Sequence, residues 1–128
     1  MLDNRLLDAR VDTVAPPPAS GIQRIAEVPI YAADAIVRRA RALQVTHDAA
    51  PPVAWMNRAL YEKLGLREGD GLRVRQGGGE ALVAAGIDDK LPADCIRLAA
   101  ARAETAALGA MFGTVTAERV PAREKVAV

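Results

Sequence analysis

This sequence holds one histidine (His47), one cysteine (Cys95) and one serine (Ser20), so any catalytic reading must start from those three and from the carboxylates near them. A Ser-His-acid triad needs Ser20 and His47 to meet, but both stand in proline-containing stretches, "APPPASG" and "THDAAPP", that read as loops. No second ligand-type residue recurs near His47 at a metal-binding spacing, so it reads as a surface side chain. Cys95 lies between Asp94 and Ile96 in a strand-like run with no histidine beside it in the pattern, and it reads as a small buried hydrophobe. The acids Asp88 and Asp89, and Glu68 with Asp70, are close enough in sequence to share a proton or a cation. Their settings, "GIDDKLP" and "LREGDG", are turn sequences, and turn formation is the simpler role. Arg73, Arg75 and Arg97 fall at strand spacing and would collect an anion if they shared a sheet face. Pairing with an acid such as Glu80 on the neighbouring strand competes with that use. No catalytic, cofactor-binding or metal-binding residue is assigned from these patterns.

The stretch "LGLREGDGLRVRQGGGEALV" (residues 64–83) has the look of a ligand loop. A phosphate-cradling loop requires Lys and Ser or Thr directly after its last glycine, at the start of a helix. Here Glu80 follows Gly79 and "ALVAAGI" reads as a strand. A dinucleotide fingerprint on Gly77 and Gly79 would need glycine or alanine where Leu82 stands. Glycine supplies the positive backbone angles of a tight hairpin, and the triplet reads as a bend between two strands.

Composition narrows the possibilities further. A length of 128 residues suits one domain, and 51% apolar residues suffice for a core without disulfide or metal. Aromatic residues make up 3%, so that core must be aliphatic, and Trp55, Tyr31, Tyr61 and Phe112 are too few for a nucleic-acid stacking platform. A formal charge of +1 gives no steering toward nucleic acid or anionic lipid. The single cysteine excludes an internal disulfide and points to a reducing compartment. No signal peptide and no run long enough to span a membrane is evident.

Residues 1–21 read as an extended tail ending in "VAPPPASG". "GIQRIAEVPI" reads as a strand stopped by Pro29. "DAIVRRARALQ" predicts one helix capped by Asp34, with Ile36, Ala40 and Leu43 on its buried face and Arg38, Arg39 and Arg41 on a solvated one. A contact of those arginines with an acidic partner is the sharper alternative. "VAWM" reads as a buried strand. "NRALYEKLGL" reads as a helix capped by Asn57 and ended by Gly65, with Leu60 and Leu64 buried. "GLRVR", "ALVAAGI", the run from Cys95 to Ala99 and "TVTAERV" read as strands, while "ARAETAALGAMFG" is open between helix and loop. Residues 121–128 read as a tail. About six short strands with two small helices predict a β-barrel carrying helical insertions over residues 22–120.

"MNRALYEKLGLREGDGLRVRQGGGEALVAAGIDDKLPADCIRL" resembles the C-terminal domain of the molybdopterin oxidoreductase superfamily, whose hallmarks match Leu64-Gly65, Gly69-Asp70, Val74 and Gly77 to Gly79. The resemblance implies a mainly β fold with short helices, a six-stranded double-psi β-barrel of the aspartate decarboxylase-like type. The flanks "RIAEVPIYAADAIVRRARALQVTHDA" and "TAALGAMFGTVTAERV" resemble the end of the G subunit of bacterial NADH-quinone oxidoreductase, respiratory complex I. That subunit implies a non-catalytic structural domain, with iron-sulfur clusters held upstream and no cofactor on this stretch. Its expected partners are upstream domains of the same subunit and other peripheral-arm subunits, without nucleic acid or membrane insertion. The implied location is the cytoplasmic face of the inner membrane. In molybdenum enzymes of the superfamily the barrel covers the pterin dinucleotide. The stretch here that would face it, "AAARAETAALG", offers only Arg102, Glu104 and Thr105 among small groups, which implies a vestigial site; the alternative is a cofactor-capping domain. A pyruvoyl decarboxylase on a related barrel would need a Gly-Ser cleavage site, and Ser20 follows Ala19.

Overall fold

The computed structural model describes residues 20–122, so the readings made for residues 1–19 and 123–128 lie outside the described residues. Six strands form: β1 (Ile22–Ile25), β2 (Val53–Met56), β3 (Gly71–Gln76), β4 (Gly79–Ile87), β5 (Cys95–Arg97) and β6 (Phe112–Val120). They close into a barrel in the order β1-β5-β2-β4-β3-β6. The pairs β1/β5 and β2/β4 are parallel, and the other neighbours are antiparallel. Exchanging β1 with β4, β2 with β5 and β3 with β6 preserves every neighbour and reverses every strand. The connectivity therefore has an internal twofold, with each parallel pair joining the two halves of the chain. This is the six-stranded double-psi β-barrel.

Strand alternation builds the interior. Leu72 and Val74 on β3, Ala81 and Val83 on β4, Ala54 and Met56 on β2, and Ile96 on β5 all point inward and are buried. Leu60 from the helix α3 (Arg58–Lys63) closes one end, and Asn57 caps that helix through a 2.9 Å bond from the Leu60 N–H. Asp89 extends the cap by accepting the Arg58 N–H at 2.9 Å, a role its turn setting did not reveal.

The interior is not wholly aliphatic. Arg24, on β1, is 2% exposed, and no carboxylate partners it among the described residues. Its guanidinium donates to the carbonyls of Leu98 and Ala99 at 3.4 Å and of Ala110 at 2.8 Å, and to Gln76 Oε1 at 3.2 Å. Gln76 passes the network on by donating to the Phe112 carbonyl at 3.1 Å. Burial lowers the Arg24 pKa, yet a guanidinium stays protonated in proteins. The side chain thus ties β1 to β3 and to both ends of the β5–β6 connection.

The bend after β3 uses its glycines differently. Gly77 has a φ of +57°, and Gly77-Gly78 is the two-residue loop between Gln76 and Gly79. Gly79 is needed for space, because a Cβ there would land on the carbonyl of Ala107. Ala107 belongs to the 3-10 segment Ala103–Leu108, which resolves the reading left open between helix and loop.

The predicted helix over "DAIVRRARALQ" forms as two, α1 (Ala35–Arg39) and α2 (Arg41–Gln44), because Ala40 turns to an extended ψ of 96°. Asp34 does cap α1, at 2.6 Å to the Ile36 N–H. Gln44 Nε2 donates to the carbonyls of Val37 and Tyr31 at 3.0 Å, stabilising the break. Neither helix contains a buried residue, and Ile36, expected in the core, is 81% exposed.

Asp70 is more than a turn residue. Its side chain is buried, accepts Arg119 Nε at 2.6 Å, the Arg67 N–H at 2.9 Å and the Ala122 N–H at 3.2 Å, and so fastens the start of β3 to the end of β6. The Arg119 hydrogen bond, with the two N–H groups, outweighs burial and holds its pKa below the usual carboxylate value. A depressed folded pKa gives stability that is complete above the unfolded value of about 4 and lost as pH falls through the folded one. Asp70→Asn therefore lowers the Tm at neutral pH, and its gap to the parent closes below about pH 4. Melting curves across that range check it.

Candidate functional site

Because β1 and β5 run parallel, both leave the barrel at the same end, and the antiparallel β2 enters there. Those three crossings frame a cleft of about 550 Å³. Glu27 comes from the exit of β1, His47, Asp48 and Ala50 to Pro52 from the approach to β2, and Ala99 and Arg102 from the exit of β5. Arg97 points outward into it because its neighbours Ile96 and Leu98 are buried, and Trp55 does so because Ala54 and Met56 are. Trp55 and Arg97 are partners in the β2–β5 register. The indole lies on Gly86 of β4, where an added Cβ would sit 2.6 Å from the ring.

Two guanidinium groups dominate the cleft. Arg97 Nη2 is 3.3 Å from Asp88 Oδ2, and Arg102 Nη2 donates to the Asp48 carbonyl at 3.5 Å. The Nε atoms of both arginines are buried and have no hydrogen-bond partner among the described residues. Both guanidinium groups line the cleft and can donate to an acceptor entering it. The arrangement can hold an oxyanion beside an aromatic ring. Glu27 and Asp48 on the rim limit the net positive charge, so geometry more than bulk attraction would select the guest.

The other candidates disperse. Ser20 precedes β1 and its carbonyl accepts Gln23 Nε2 at 3.0 Å, whereas His47 lies in the cleft at the far end of that strand. Cys95 is a free, half-buried thiol at the start of β5. Asp88 accepts the Lys90 N–H at 3.1 Å, as its turn setting predicts, and also pairs with Arg97. Arg75 bonds Glu80 at 3.2 Å as expected, and Glu118 at 3.3 Å. Arg73 and Arg75 lie on β3, which is not adjacent to β5, so Arg97 does not share their face. Of the three groups expected to face a cofactor, Arg102 reaches the cleft. Thr105 is buried with its hydroxyl donated to the Ala99 carbonyl at 2.8 Å, and Glu104 is exposed. Among the described residues no three of His, Cys, Asp and Glu gather to hold a metal, and no helix is long and apolar enough to cross a membrane.

A family model described as "Molydopterin dinucleotide binding domain" matches residues 30–123. The chain belongs to that family. Within this Molydopterin dinucleotide binding domain the match takes in β2 to β6 and every cleft residue except Glu27. No curated protein matches the chain. Among solved structures, the rationally designed protein mkDPBB_sym_86 is similar at 20% identity and a TM-score of 0.49, over 84% of this chain and 100% of the other. Acetylene hydratase from Pelobacter acetylenicus is similar at 20% identity and a TM-score of 0.48, over 77% of this chain but 18% of the hydratase. The barrel assignment rests on the strand order, independently of these two.

Proposed function

We propose that the chain is the non-catalytic C-terminal domain of a G subunit of NADH-quinone oxidoreductase, and that its work is to pack against the rest of that subunit on the cytoplasmic side of the membrane. Family membership and the flanks "VPIYAADAIVRRA" and "LGAMFG" support the parentage. The observation that carries the packing role is the exposure of Val28, Ile30, Ile36, Val45, Leu82 and Phe112, six large apolar side chains on a domain of about one hundred described residues. In this reading electrons pass through iron-sulfur clusters held upstream, and no residue here ligates one. Mixing the purified chain with the upstream part of such a subunit gives a 1:1 complex by light scattering; absence of any complex refutes the reading.

The cleft favours a second reading, a domain that caps a molybdopterin dinucleotide. When bound, that group supplies redox chemistry through its metal. The residues fit its phosphate-bearing part: the guanidinium groups of Arg97 and Arg102 line the cleft, and Trp55 offers a ring face. Trp55 is the sole tryptophan of the chain, so its fluorescence reports the cleft directly. Under this reading guanosine diphosphate quenches Trp55 saturably, and Arg102→Ala weakens binding about tenfold or more. No saturable change up to millimolar ligand removes the second reading.

A further inference from the structure

The segment between β1 and β2 behaves as a lobe with its stabilising face missing. It comprises the 3-10 turn Ile30–Ala32, α1, α2 and the 3-10 turn His47–Ala49. These four pieces pack chiefly on one another. Helices of five and four residues are far below the length of about 12–15 at which a helix holds its own in water, so tertiary burial must support them. Yet neither helix buries a residue, and Ile30, Ile36 and Val45 are 72%, 81% and 77% exposed. Of the lobe's apolar side chains Ala32 is buried and Tyr31, Val37 and Leu43 are half-buried, while these three bulky aliphatic groups stand exposed.

Charge says what covers it. The arginines on the barrel strands are all engaged: Arg24 with carbonyls, Arg73 and Arg75 with Glu118, Arg97 with Asp88, and Arg119 with Asp70. Arg38, Arg39 and Arg41 on α1 and α2 are exposed and have no ion pair among the described residues. Three unpaired cations beside bulky aliphatic groups complement a protein surface that is apolar at its centre and carries carboxylates at its rim. A membrane would ask for one continuous amphipathic helix, and α1 and α2 are broken at Ala40.

From this we infer that residues 28–46 form the docking face of the domain and that the upstream part of its own subunit covers it, with acidic side chains meeting Arg38, Arg39 and Arg41. The inference rests on the reading of the chain as a G-subunit domain and names the surface that reading uses.

Amide hydrogen exchange on the chain, alone and mixed with the upstream part of the subunit, tests it. The expected result is slowed exchange over residues 28–46 in the complex. Charge reversal (Arg38→Glu with Arg39→Glu and Arg41→Glu) weakens association about tenfold or more, while Lys90→Glu in the exposed turn after β4, at the other end of the barrel, leaves it within about twofold. The reversed side chains have no ion pair to lose among the described residues, and unchanged Trp55 emission and Tm verify the fold of each variant. A complex protected on β3, β4 or β6 instead overturns the docking face and leaves the subunit assignment standing. Failure of any complex to form overturns both. Binding of the chain to vesicles containing phosphatidylserine, abolished by the same reversals, replaces the protein partner with a lipid surface and also overturns the proposal.

Discussion

Arg24→Met lowers the unfolding free energy by about 1–3 kcal/mol, the cost of leaving buried acceptors without their donor. Methionine fills much of the same volume, so the loss is not mainly one of packing. It comes from the Leu98, Ala99 and Ala110 carbonyls and Gln76 Oε1, which lose the donors that satisfy them. Replacing one side of a buried polar contact costs far more than replacing both, because the surviving groups stay desolvated and unpaired. A small domain holds roughly 5–15 kcal/mol in total, so this is a sizeable share of its stability. Arg24→Lys restores the charge without the planar fork and recovers part of the loss. Urea unfolding of the three proteins measures this, and amide exchange over residues 98–110 rises before global unfolding in both variants. An unchanged urea midpoint for Arg24→Met disproves the structural role of the network.

The glycine triplet gives the second large effect, and its three members separate cleanly. Gly79→Ala destabilises by about 1–3 kcal/mol, since the new methyl meets the Ala107 carbonyl and the backbone of residues 103–108 must move. Gly77→Ala costs about 1 kcal/mol for its left-handed φ alone. Gly78→Ala, with open space and no positive φ, stays within about 0.5 kcal/mol of the parent. Thermal melts rank the three, and only Gly79→Ala increases amide exchange over residues 103–108. Equal effects at Gly78 and Gly79 would show that the close approach does not govern this site.

The contrast within this triplet marks where the sequence was legible. That "RQGGGEA" bends the chain follows from local backbone sterics, which any glycine run reports. That Gly79 must admit Ala107 follows from a contact across 28 residues, for which nothing local is diagnostic. The strands and the Asp34 and Asn57 caps were readable for the same reason, since alternation and capping are short-range. The core face expected on "DAIVRRARALQ" failed because helical spacing shows that a helix has an apolar side, not that this chain covers it. Arg24 was missed because "IQRI" places a charge at an inward position, and alternation alone cannot say that four acceptors wait there. The cleft was half visible. Arg102 was named through the family resemblance, in the stretch that would face a cofactor, and the outward register of Trp55 and Arg97 was available from Ala54, Met56 and Ile96. The parallel β1/β5 pairing that brings those residues together is a matter of topology, which local patterns do not encode.

The strand order also constrains how the polypeptide matures. Among the described residues β1 hydrogen-bonds to β5 and β6, the two strands made last, so it has no sheet partner until about seventy further residues have been synthesised. Non-local closure of this kind is slow and leaves strand edges open in the meantime. Arg24 travels with that waiting segment, and its acceptors at Leu98, Ala99 and Ala110 arrive at the same late moment, so seating the cation and sealing the wall become one event at the ribosome exit.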